Sequence, residues 1–140
     1  MQKVTERVET EVAVLEANRR FYRAFSEGDF ESMSQLWAER APAACVHPGM
    51  AAIAGRTAIL GSWKQILRQA AGWTMSCRGA RVYLLGDVAF VTCLEANGDE
   101  PAHLIATNVF VLEDGHWRMV HHQAGPLSNP VSATDSRDVN

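Results

Sequence analysis

Apolar residues in the first half of the chain recur at helical spacing. Over residues 10–25, Val12, Leu15, Phe21, Tyr22 and Phe25 fall on one stripe, and Ser26-Glu27-Gly28-Asp29 follows as a glycine stop and a capping aspartate. The pattern predicts an amphipathic helix with an aromatic end. Asp29 is placed to cap a second, short helix whose Phe30, Met33, Leu36 and Trp37 share a stripe, ending before Ala41-Pro42. A short apolar run through Cys45-Val46 leads into the turn His47-Pro48-Gly49. A third helix is expected from about 57 to 70, with Ile59, Leu60, Trp63, Ile66 and Leu67 inward.

The remainder reads as β structure, over about 74–85, 88–95, 103–112 and 117–124. Gly86-Asp87 suits a two-residue II′ turn and Asp114-Gly115 suits I′, so the first and last strand pairs are expected as antiparallel hairpins within a meander. The fold class is α+β. Residues 1–126 form one expected domain, and the polar segment 127–140 lacks the apolar area to offset ordering, so it is expected as a flexible tail. Val88-Ala89-Phe90-Val91-Thr92-Cys93-Leu94 and residues 104–112 are apolar at odd and even positions alike, which predicts that both sheet faces are covered. Three helices cover one face; a second copy covers the other most simply, so a homodimer packed through the sheet is expected.

Composition narrows the picture. At 140 residues, 47% hydrophobic and 21% charged, the chain suits one soluble domain, with no apolar run near the roughly 20 residues of a membrane helix. A net charge of −3 supplies no basic field for nucleic acid or anionic membranes. Cys45, Cys77 and Cys93 are isolated and odd in number, and the first residues lack the apolar core of a signal peptide, so a reducing cytoplasm is expected. No known metal-ligand spacing is present, and Cys93, mid-strand among apolar residues, is expected to be inert. No cofactor motif appears.

Helices followed by a curved sheet, together with Phe21-Tyr22-Arg23-Ala24-Phe25, Leu36-Trp37, Val46-His47-Pro48-Gly49, Gly55-Arg56 and the ending from Trp117 to Pro126, resemble the nuclear transport factor 2-like superfamily. Within it the chain resembles the SnoaL-like branch and the association domain of calcium/calmodulin-dependent protein kinase II, over about 12–126. The resemblance implies a cone-shaped α+β barrel, with N-terminal helices packed in a curved antiparallel sheet, an apolar cavity open at one end, and usually a dimer. Relatives include isomerases, dehydratases, epoxide hydrolases and polyketide cyclases, besides domains that only bind or oligomerise, so fold does not decide chemistry.

Matched to the association domain, Ala124, Asn108 and Glu95 stand where that family carries pocket arginines, which this chain lacks. Strand alternation puts His122 on the same face as Ala124, and only one of His121-His122 points inward. His122, Glu95 and Asn108 are the candidate catalytic set, with a carboxyl and an imidazole for proton transfer and an amide for a carbonyl or enolate oxygen. Tyr22, Phe25, Trp37, Trp63 and Phe110 are the candidate walls, and His47 lies at the rim or within, for a small hydrophobic ligand with one polar handle. Other readings stay open. His122 and Asn108 also suit structural hydrogen bonding, Glu95 precedes an acidic turn and suits solvation, His47 suits a turn-holding role, and the tryptophans suit a core. A SnoaL-like protein acting by proton transfer as an isomerase, cyclase or hydrolase is one expectation; a noncatalytic binding or oligomerisation module is the other.

Overall fold

A computed structural model of the chain describes residues 2–133. Helix α1 (Gln2–Glu27) is longer than its core stripe: Val14, Ala17, Asn18, Phe21, Tyr22 and Ala24 are buried, while the first two turns are exposed. It ends as the sequence predicts. Gly28 takes a φ of 66°, its N–H donates to Phe25 O at 3.2 Å, and Asp29 N–H donates to Ala24 O at 2.9 Å. The Asp29 carboxylate then accepts from Ser32 N–H at 3.1 Å and starts α2 (Phe30–Leu36).

After α2 come β1 (Ala44–Val46), β2 (Ile53–Ala54), α3 (Arg56–Gln69), β3 (Met75–Leu85), β4 (Val88–Asn97), β5 (Ala102–Glu113) and β6 (His116–Val131). The six strands form one sheet in the order β2-β1-β6-β5-β4-β3. Both two-residue hairpins form, with Leu85 opposite Val88 and Glu113 opposite His116. Asp114 and Gly115 have φ of 54° and 78°, as a I′ turn requires.

Three expectations change. The expected α+β fold of helices on a curved sheet forms, but the otherwise antiparallel sheet has one parallel pairing and stays open: the apolar run through Cys45-Val46 is a short strand lying parallel to β6, with Ala44 opposite His121 and Cys45 opposite His122. Strict alternation fails in β6, where Met119 and His122 are both buried, because the register shifts between Val109 and Phe110 and a bulge re-aims the strand. Finally, β6 continues through Pro126 to Val131, which pairs with Ala102, so the segment after 126 begins as strand. The rest of the expected tail, 134–140, lies outside the described residues.

The core sits between the helices and the inner sheet face, around Phe21, Met33, Trp37, Ile59, Trp63, Phe110 and Met119. Two polar clamps hold it beside α2. Arg56 donates to Trp37 O at 2.6 Å and Ser34 O at 2.8 Å, tying α3 to α2. Glu113 accepts from the backbone N–H groups of Glu39, Arg40 and Ala41 at 2.9, 3.2 and 3.1 Å.

Candidate active site

Four elements converge at the wider end. On neighbouring strands, Asn108 of β5 lies directly opposite His122 of β6, both pointing inward. Glu95 of β4 shares this face, and α1 adds Asn18, Phe21 and Tyr22, three and four residues apart and so on one side of the helix. Their polar atoms are joined. His122 Nδ1 lies 2.6 Å from Asn108 Oδ1; Asn108 Nδ2 donates to Asn18 Oδ1 at 2.8 Å and to the Tyr22 hydroxyl at 3.1 Å. Tyr22 in turn donates to Glu95 Oε2 at 2.7 Å.

The donors fix the protons. Asn108 spends its Nδ2 hydrogens on Asn18 and Tyr22, so its Oδ1 accepts from His122, which must carry its proton on Nδ1. That leaves Nε2 as a lone pair, 4.0 Å from Glu95 Oε2. Burial pushes the His122 imidazole down to about 3, with smaller contributions from His47 and His121, so it is neutral at pH 7. Burial raises the Glu95 carboxyl, only partly opposed by the Tyr22 hydrogen bond. Tyr22 is pushed above its ordinary value by burial and by Glu95, so it stays a donor. Charge is disfavoured on every member, and the approach of His122 to Glu95 is not an ion pair.

These groups sit at the base of a cavity of about 300 Å³, within the range of small-molecule sites. Phe21, Phe25, Trp63, Ile66, Trp73, Met75 and Leu104 supply its apolar wall, and Glu95, His122 and His47 reach it as polar groups. Phe21 and Trp63 pack on His122 at ring-centroid distances of 4.7 and 5.8 Å. Trp73 stands 51% exposed at the margin.

The sequence-predicted residues divide. His122, Glu95, Phe25, Trp63 and His47 line the cavity. Glu95 is not solvated at a strand end, because β4 runs two residues past it and leaves it 4% exposed. Asn108 and Tyr22 lie one layer deeper, bonded to the groups that line it. Trp37 and Phe110, expected as walls, are fully buried core residues outside the cavity: Trp37 packs beside Met119, and Phe110 shares the inward face of β5 with Asn108 but lies one pair nearer the hairpin, opposite Met119. His47 Nε2 lies 3.0 Å from Ser62 Oγ, whose own hydroxyl donates to Ile59 O, so His47 is held by α3 as well as facing the cavity. Asn18 went unpredicted, although a polar residue on the apolar stripe of α1 was the signal for it. Burial pushes the Cys45 thiol up to about 12, and a hydrogen bond with Cys77, followed by burial, raises Cys93, so neither is a nucleophile at neutral pH. Among the described residues no group of three His, Cys, Asp or Glu side chains is placed to hold a metal ion.

Over residues 14–128 the sequence matches the SnoaL-like domain family. The chain belongs to this family. A Streptomyces avermitilis protein designated a dehydratase of the NTF2-like family is similar in structure, with a TM-score of 0.78 and 32% identity over 86% of this chain and 98% of its own. A protein from Thiobacillus denitrificans designated a calcium/calmodulin-dependent protein kinase type II association domain has a TM-score of 0.71 and 32% identity, covering 80% of this chain and 93% of its own. The SnoaL-like chain is also 25% identical over 115 residues to the F-box protein SKIP8 of Arabidopsis thaliana, spanning 82% of this chain and 50% of that protein. The chain therefore spans about half the length of that relative.

Proposed function

We propose that the protein binds a small, uncharged, largely apolar molecule in its cavity and transforms it by proton transfer without a cofactor, as an isomerase, cyclase or hydrolase does. The observation that carries this reading is the pair at the cavity base: a neutral His122 imidazole presenting Nε2 as a lone pair, and a Glu95 carboxyl whose proton affinity is raised by burial. One can take a proton and the other can give one. Neither requires a charge to be stripped from the substrate, and an apolar wall favours ligands that carry none. The similarity to a protein designated a dehydratase supports the same class of chemistry.

A screen of uncharged carbonyl and hydroxy compounds, read first by thermal shift and then by turnover, tests this. His122→Ala is expected to abolish turnover of any substrate found while the circular dichroism spectrum is retained; undiminished turnover removes His122 from the mechanism.

A second reading is a noncatalytic binding or oligomerisation module, favoured by the similarity to an association domain. Ligand binding with no turnover in either wild type or His122→Ala would favour it. In both readings we infer a homodimer through the outer sheet face, where Tyr83, Leu85, Val88 and Ile105 are exposed on a soluble chain. Analytical ultracentrifugation of Leu85→Glu, expected to sediment as a monomer, checks it. Three unpaired cysteines suit a cytoplasmic setting.

A further inference from the structure

We propose that Asn18 is a positioning residue that selects which nitrogen of His122 faces the cavity as a proton acceptor. The inference rests on the reading of His122 as the acceptor, and it concerns how that state is chosen.

A neutral imidazole carries one proton, and its two tautomers offer opposite faces to a ligand. The choice follows from the amide orientation of Asn108. With Oδ1 towards His122 Nδ1, at 2.6 Å, the proton sits on Nδ1 and Nε2 is the acceptor. Rotated by half a turn, Asn108 would present Nδ2 to His122, the proton would move to Nε2 by exchange with solvent, and the cavity would meet a donor instead.

Asn18 opposes that rotation. Its Oδ1 accepts from Asn108 Nδ2 at 2.8 Å, and its own Nδ2 is directed at Cys77 Sγ, 3.4 Å away. If Asn108 turned, two amide oxygens would face each other unless Asn18 turned as well and exchanged its donation to Cys77 Sγ for acceptance from the Cys77 thiol. Tyr22, the other acceptor for Asn108 Nδ2, would have to redirect its proton from Glu95 to Asn108. Without Asn18 that opposition is gone. Either orientation then leaves one Asn108 Nδ2 hydrogen without a partner, and rotation exchanges the Tyr22 donation to Glu95 for one to Asn108 Oδ1 while Nδ2 donates to His122, so the two orientations become comparable. Asn18 is 1% exposed and lies outside the cavity lining, so it acts only through Asn108.

The test is the nitrogen–proton correlation spectrum of ¹⁵N-histidine-labelled protein at neutral pH, with His122 assigned by its loss in His122→Gln. Wild type is expected to show His122 protonated on Nδ1 alone. Asn18→Leu, close in volume and without polar atoms, is expected to show a His122 population with the proton on Nε2; if it fails to fold, Asn18→Ala is read the same way. A wild-type proton on Nε2, or an unchanged Nδ1 proton in the folded Asn18 variant, overturns the inference. The spectrum needs no substrate, so its failure is distinct from failure of the catalytic reading, which would appear as absent turnover with the expected tautomer in place.

Discussion

Two glutamates of the sheet, Glu95 and Glu113, are each nearly buried, yet the protein treats them oppositely. Glu113 accepts from three successive backbone N–H groups, which hold its carboxyl below the ordinary range; the charge is met by fixed donors of the 39–41 segment. Glu95 has one side-chain donor, Tyr22, and an apolar cavity around it, and burial raises its carboxyl. A carboxylate saturated by backbone fastens a loop and has little left for a ligand. A carboxyl left short of donors in an apolar cavity holds its proton more tightly than an ordinary one and keeps room for a partner.

Breaking the cavity side should have the largest effect. Once a substrate is found, His122→Ala is expected to lower kcat about 100- to 10,000-fold, the usual contribution of a general acid or base; steady-state kinetics measure it. On the other side, Glu113→Ala leaves three backbone donors unmet and is expected to cost about 1–3 kcal/mol in urea denaturation, leaving kcat unchanged in the folded protein. If Glu113→Ala lowered kcat while stability held, the division of roles between the two glutamates would be wrong.

Acid titration sharpens the contrast. The folded His122 resists protonation down to about 3, whereas an unfolded histidine takes its proton near 6.5. Stability from this group is therefore complete above about pH 6.5 and is lost as pH falls from there towards 3. His122→Gln should flatten that limb of the stability curve. The smallest effect separates the glutamates by sign. Glu95 is raised when folded, so its contribution is present below the unfolded carboxyl value and is lost as pH rises through the folded one. Glu113 is lowered, so its contribution is present above the unfolded value and is lost as pH falls through the folded one. At pH 8, Glu95→Gln is expected to raise the midpoint of thermal unfolding slightly and Glu113→Gln to lower it; shifts of the same sign would erase the comparison.

Much of this was legible in the residues. The helical stripes, the Gly28-Asp29 junction and the Asp114-Gly115 hairpin depend on local chemistry, and the ending from Trp117 to Pro126 carries the family pattern. The convergence of His122 and Asn108 followed from strand parity and the family match. What was not legible depends on register and on the far end of the chain. A bulge in β6 changes which residues point inward without leaving a glycine to mark it. Phe110 shares its face with Asn108, and parity alone could not tell cavity from core along that face. Trp37 shares its stripe with core residues, so spacing could not separate wall from core. The fate of Glu95 hinged on how far β4 runs, and strand ends are poorly marked where Ala96-Asn97 can pair or turn. Glu113 looked like an ordinary residue before a turn, since the N–H groups it binds lie more than seventy positions earlier.

The central claim is that the cavity base pairs a neutral imidazole with a carboxyl of raised proton affinity, and the most direct test is an NMR titration of the Glu95 carboxyl carbon and the His122 ring in the free protein. The account predicts a Glu95 midpoint above that of an ordinary glutamate and a His122 that stays unprotonated well below pH 6.5, towards about 3. A His122 that protonates near its ordinary value beside an ionised Glu95 would make the pair a salt bridge and contradict the account.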